Sequence, residues 1–409
     1  MVTLPTTFNA FPSEIISMFI DHLDDIMDLG NLMLASSTVW RHLEQDQSVL
    51  TVVDRMLKDG PTHRETSFFI HALAHLRCES PLLETYIDAH GLDFTAYRSW
   101  AYMQNPLLGT LPHTMSPAQV RGLLTTSSAI SATALRCITL FADRFNAMRP
   151  LTEWASFDVY TNDWTHLPAG PRHHVPDTGP LRWGEVQRAL KAFWMIQFSR
   201  IFFDTFNRGA FDWPQDRMLK ISEMTPTEIF GFECYEACLG VGRGDHPWTY
   251  FLDVHYIYSC AEEYLDEIKT SSHVSSDRDL PPVQRVEGDD EEWPATSLSM
   301  KRFARIFKEI RYRQDGDGFR PWRRLGFAIW DTERLKLAGF INDIRKDPNP
   351  DNVHWLTITR SEQLDRTRWL SVIRKEDFRF VQQHRLVAQD SESEEHPSDY
   401  DTDTYTWSP

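Results

Sequence analysis

Residues 11–43 read FPSEIISMFIDHLDDIMDLGNLMLASSTVWRHL. Ile15, Ile16, Phe19, Ile20 and Leu23 recur at helical spacing and line one broad apolar stripe. Ser13 is suited to cap this helix with Pro12 just outside it, or Pro12 sits in the first turn, where no backbone donor is needed. Asp28 is the expected cap of a second helix that carries Leu29, Leu32 and Met33 on one face. A third helix starts near Ser37 or Thr38 and presents Trp40 and Leu43. A fourth turns Leu50, Val53, Met56 and Leu57 inward and ends at Gly60-Pro61, a helix-stopping glycine before a residue that cannot continue the helix. A unit of about forty residues can scarcely bury all these faces by itself. Each Ile, Leu or Phe left in water forgoes ~1.5–3 kcal/mol of burial until something covers it. Either the rest of the chain or a partner must do so.

This segment resembles the F-box. The family pattern is an apolar residue, Pro, any residue, Glu, spaced aliphatics, a Leu-Asp turn, a Leu-rich second helix and a Trp-containing third. Phe11, Pro12, Glu14, Ile15, Ile16, Phe19, Ile20, Leu23, Asp28, Leu29, Leu32, Leu34 and Trp40 stand at matching positions. Phe11 replaces the usual Leu, Ala35 sits where Val is typical, one extra residue falls in the turn at 24–28, and Trp40 comes one position late. The resemblance implies docking onto a Skp-family linker subunit of a cullin–RING ubiquitin ligase. Phe11, Pro12, Ile15, Ile16, Phe19, Ile20, Leu23, Leu29, Leu32 and Trp40 are the implied contact residues. The chain also resembles filamentous-fungal F-box proteins with a long helical C-terminal region. That likeness rests on RALKAFWMIQFSRIFFDTF (188–206), MTPTEIFGFECYEACLGV (224–241) and LGFAIWDTERLKLAGF (325–340).

The remainder is helix-rich, with helical patterns at 66–78, 116–146, 183–207, 225–239, 250–269, 298–313, 331–344 and 375–385. Ala192 to Phe203, the most apolar stretch, is broken by Gln197 and Arg200; it is too short for a bilayer and reads as a buried helix. Residues 150–182 are rich in Pro, Gly, Asp and His and predict a long irregular connection with room for a short strand. The formal charge of −17 is local. Residues 271–292 contribute −5 and the tail from Gln389 contributes −7, so the rest is close to −5. The expectation is a mainly α chain: a three- or four-helix F-box-like segment at 6–58, then a large irregular helical domain at 62–388. A disordered acidic loop at 270–296 and a disordered acidic tail at 389–409 complete it. Ser391, Ser393 and Ser398 lie among tail acids that suit acid-directed kinases.

Composition narrows the function classes. Apolar residues at 41% with 14 Trp and 25 Phe point to a folded chain. The near-neutral body gives nucleic acid or an anionic membrane little to hold. Five thinly spread cysteines suit buried thiols in a reducing compartment. Acids at 14, 21, 24 and 25 interrupt any secretory signal. A cytoplasmic or nuclear protein is expected.

Chemical motifs are weak. Asp24-Asp25-Ile26-Met27-Asp28 spells the Asp-rich motif of terpene synthases, yet Asn162-Asp163 and Asn342-Asp343 have His166 and Lys346 where the second motif needs a hydroxyl. The acids therefore read as an exposed inter-helix turn. Asp315-Gly316-Asp317-Gly318 would put Arg313 and Arg324 at calcium-ligand positions, which excludes the ion. His71, His75 and Cys78 share a helical face but have no fourth ligand. Cys234 and Cys238 have no second pair, and Gly240–Asp245 has no phosphate-loop Lys-Ser/Thr. The basic run from Lys301 to Arg324 reads as a solvated face. No catalytic residue, metal or cofactor is expected. The alternatives are an all-helical small-molecule enzyme using His and Asp residues near 160–176 or 245–255, and a scaffold with no ligase role.

Overall fold

The computed structural model describes residues 11–45, 48–80, 82–83, 85, 109–154, 168–211, 213–224, 247–270, 283–284, 320–341 and 368–372. The fold is mainly α, as expected. In chain order the described helices are α1 (Ser13–Asp21), α2 (Ile26–Ala35), α3 (Ser37–Gln45), α4 (Val49–Asp59), α5 (Arg64–Arg77), α6 (Pro117–Ala147), α7 (Trp183–Asn207), α8 (Gln215–Ser222), α9 (Pro247–Thr270), α10 (Arg320–Arg323) and α11 (Thr332–Leu337). Four short strands accompany them: β1 (Leu151–Trp154), β2 (Pro168–Arg172), β3 (Leu181–Arg182) and β4 (Val283–Gln284). β1 and β2 pair antiparallel within the connection expected at 150–182. β4 pairs with β3 in parallel, so two residues of the loop expected at 270–296 belong to a strand.

The chain divides into two compact units. The first comprises residues 1–148, 175–301 and 322–341; the second comprises 149–174, 302–321 and 342–409. The expected boundary between 58 and 62 does not separate units, because the N-terminal helices share the first with α5, α6, α7 and α9. The helices expected at 225–239, 298–313 and 375–385, and the tail 389–409, lie outside the described residues. The helix expected at 331–344 is the shorter α11, ended at Ala338.

α7 organises the first unit. Most of its apolar residues, including Phe193, Trp194, Met195, Phe198 and Phe202, are buried, and so are Glu185, Gln187, Arg188 and Lys191. Buried charge is tolerated only when paired, and each of these polar groups meets a distant segment. Gln187 Oε1 accepts from His63 N at 2.9 Å, and Lys191 Nζ lies 2.5 Å from Glu65 Oε2. Arg188 Nη1 donates to the Ile329 carbonyl at 2.8 Å. Glu185, fully buried, faces Arg334 Nε at 2.6 Å. Burial pushes the Glu185 carboxyl above its usual range against the pull of Arg334. Arg334 then spends its remaining donors on Glu185 Oε2, Thr178 Oγ1 and the carbonyls of Gly179 and Pro180. All five guanidinium N–H groups are satisfied.

α5 runs in the same direction as α7, since Phe69 meets Phe198 further along both helices than His63 meets Gln187. α9 runs against α7, with Ser199 facing Tyr258 and Phe193 facing Tyr264. α6 and α9 are parallel: Phe141 packs on Tyr264 and Arg144 pairs with Glu267, each pair 123 positions apart. α6, of 31 residues, opens on a capping box between Ser116 and Gln119 with Pro117 at its start. By length and composition it could cross a membrane, but half of its most apolar window is buried within this unit, which is the pattern of a core helix. Arg323, expected on a solvated basic face, is instead buried and paired with Glu263 at 3.0 Å.

Candidate functional site

The N-terminal helices are built by short-range contacts and then fixed to the body by long-range ones. α1 starts after Pro12, whose carbonyl accepts from Ile15 and Ile16 N, with no side-chain cap. His22 closes it, its Nδ1 2.7 Å from the Met18 carbonyl. α2 is capped by Asp25, not by Asp28: Asp25 Oδ1 accepts from Met27 N at 2.9 Å, while Asp28 lies in the first turn, where a carboxylate favours the helix dipole. Ser17 Oγ lies 2.8 Å from His42 Nε2 and ties α1 to α3. Arg55 on α4 reaches Asp21 Oδ1 and the Ile20 carbonyl, both at 3.2 Å.

The ten implied contact residues divide by depth. Ile16, Ile20, Leu29 and Trp40 are buried; Phe11, Ile15, Leu23 and Leu32 are half-buried; Pro12 and Phe19 are exposed. The four buried residues therefore cannot form part of a free face as the chain is folded here. The covering element on α2 and α3 is α6. Arg121 stacks its guanidinium over the Trp40 ring at 5.3 Å, and Ser131 contacts Met27. Gly30 touches α6 so closely that a Cβ there would stand 2.4 Å from Ser128 Oγ and 2.9 Å from the Leu124 carbonyl. Inward-facing residues on α4 are Val49, Val53, Met56 and Leu57, with Leu50 half-buried.

What stays in water is a smaller set. Met18 is 56% exposed, Phe19 47% and Leu34 64%, and the Phe11 ring lies 6.0 Å from that of Phe19. These values matter because Leu219 and Leu337 are the other exposed large apolar side chains among the described residues. Met18 was absent from the implied contacts, and its signal in the sequence is that it is apolar yet off the Ile16–Ile20 stripe. Comparison of the chain with family models, curated proteins and solved structures finds no match.

Asp25 gives this region a measurable property. Burial, opposed by the Met27 N–H and helped by Asp28, pushes its carboxyl up to about 6. The unfolded carboxyl ionises near 3.8. Holding the proton more tightly in the fold means that the favourable contribution is complete in acid and is lost as pH rises toward 6. Asn keeps the cap acceptor without the charge. Asp25→Asn is therefore expected to stabilise the chain by about 1–3 kcal/mol at pH 7.5, with the gain shrinking as pH falls toward 4. Urea midpoints of both proteins across that range measure it, and a gain independent of pH would contradict the assignment.

The other candidate groups resolve as structural or fall outside view. His71 Nδ1 lies 2.8 Å from the Ser67 carbonyl, and His75 lies 3.0 Å from the Thr110 carbonyl and 3.1 Å from Ser80 Oγ. Among the described residues no three His, Cys, Asp or Glu side chains group as metal ligands. Cys78, Cys137 and Cys260 carry free thiols, and burial raises the last two well above the usual thiol range. His173 and His174 belong to the second unit, where partial burial, Arg368 and His174 lower the His173 imidazole. Cys234, Cys238, Asp245, His246, His166, Asp315–Gly318, Ser391, Ser393 and Ser398 lie outside the described residues. So do the side chains of Asp253 and His255 on α9.

Proposed function

We propose that this chain is a non-catalytic F-box-like adaptor whose α1 face docks a Skp-family linker subunit of a cullin–RING ubiquitin ligase, leaving the rest to hold a target protein. One observation carries the reading. Of five exposed large apolar side chains among the described residues, Met18, Phe19 and Leu34 belong to α1 and α2, beside exposed Pro12. Exposed apolar side chains grouped on consecutive helices mark a contact surface. The docking set is thus narrower than the full stripe: Phe11, Pro12, Ile15, Met18, Phe19 and Leu34. Such a face suits helix-in-groove recognition, with Phe19 as the aromatic anchor.

Substituting Ile16 would test nothing, because it is 3% exposed and its loss would unfold the segment. Phe19→Asp with Leu34→Asp alters only exposed positions. The double variant is expected to keep wild-type circular dichroism and to lose co-purification of the linker subunit. Retained co-purification would refute the reading. A scaffold with no ligase role is the second reading, favoured by the seal of α6 over α2; it requires that no linker subunit accompany the wild-type chain.

A further inference from the structure

We infer that the partner seated on α1 presents an apolar contact bordered by lysines and arginines. The inference rests on the docking reading of α1 and specifies the chemistry of the occupant. Residues 11–40 contain Glu14, Asp21, Asp24, Asp25 and Asp28 and neither Lys nor Arg. Asp25 is drawn into the fold as the α2 cap, and the other four acids are exposed. Glu14 precedes Met18 by one helical turn and Asp21 follows it by three residues, so both acids share the Met18 side of α1. Arg55 meets Asp21; Glu14, Asp24 and Asp28 remain in water.

An occupant that covers Met18 and Phe19 must bring its rim against the Glu14 and Asp21 carboxylates of α1, with Asp24 three residues past the helix end. A neutral rim would strip their hydration without return, and an acidic rim would add repulsion. A basic rim offsets the desolvation and speeds the encounter. The same charges repel an anionic lipid surface, which favours a basic protein segment as the occupant.

The test uses the full chain and two synthetic amphipathic helical peptides with identical leucine faces, one flanked by lysines and one by glutamates. Fluorescence anisotropy is expected to show the lysine peptide binding at least ~10-fold more tightly at low salt, with the margin narrowing at high salt. Glu14→Lys with Asp24→Lys should reverse the preference, and Phe19→Ser should weaken both peptides. Asp216→Lys with Glu223→Lys, at exposed positions on α8 and at its C-cap, should leave the preference in place, which separates a local rim from the overall negative charge. Equal binding of the two peptides, binding of neither, or a preference that survives the α1 reversal would overturn the inference. The linker subunit tells the two readings apart. If it co-purifies equally with wild type and the α1 reversal, docking stands and the basic rim falls. If peptide preference reverses while no linker co-purifies, the rim stands and the ligase assignment falls.

Discussion

Arg334→Met is expected to cost the first unit about 3–5 kcal/mol, because it leaves a buried carboxylate without its partner. Glu185 is fully buried and Arg334 is 1% exposed, so neither can turn to water when the other is lost. Arg334 also holds the chain at Thr178, Gly179 and Pro180 and caps a stack over Trp330 at 5.2 Å. Removing its five donors orphans these acceptors as well. Glu185→Leu alone should be comparably damaging, since it strands the guanidinium. The double variant should recover part of the loss, because apolar residues of similar volume replace a buried ion pair at little net cost. Guanidinium denaturation midpoints of the four proteins form the cycle. A single-variant cost below about 1 kcal/mol would show that the pair is not buried as described.

Gly30→Val is the second large effect expected. Valine brings more than the Cβ that already falls within 3 Å of Ser128 and of backbone at Leu124. The Leu124 carbonyl cannot rotate away, so α2 must lift from α6. Overpacking of this kind costs about 1–3 kcal/mol and occasionally more. Replacing a helical glycine recovers under ~1 kcal/mol of propensity, too little to cancel it. Hydrogen exchange should show the loss concentrated in α2 and α3, with α7 protected as in wild type. Protection of α2 unchanged by Gly30→Val would mean that the close approach is absent in solution.

The long helices were legible because their signals are local and repeated. The helical pattern over 116–146 falls within one residue of α6 at each end, and the Trp/Phe density of 188–206 marks a helix that is buried on nearly every side up to Ser199. The N-terminal stripe was legible as a stripe, but not its occupant. Ile16, Ile20 and Leu29 look identical in sequence whether covered by a partner or by their own chain. The α6 residues that close over α2, Leu124 and Ser128 against Gly30 and Ser131 against Met27, lie about a hundred positions away, a distance that periodicity does not encode. The α2 cap was misplaced for a smaller reason: three aspartates compete within five residues, and only the turn geometry selects Asp25. Arg323 read as part of a solvated basic face because Glu263, which neutralises it, arrives from a remote segment. Leu34 matched the family pattern at its position, yet its exposure depends on how α2 leans on α6.

One unbroken helix joins the two ends of that arrangement. α6 grips α2 near Ser128 and pairs with α9 near Phe141, and thirteen residues of α-helix between them measure about 20 Å. No turn, proline or glycine interrupts that span. It acts as a fixed spacer rather than a tether, so a body seated on the opening helices and one seated near α9 would keep a constant stand-off. Tilting either would require the whole rod to swing.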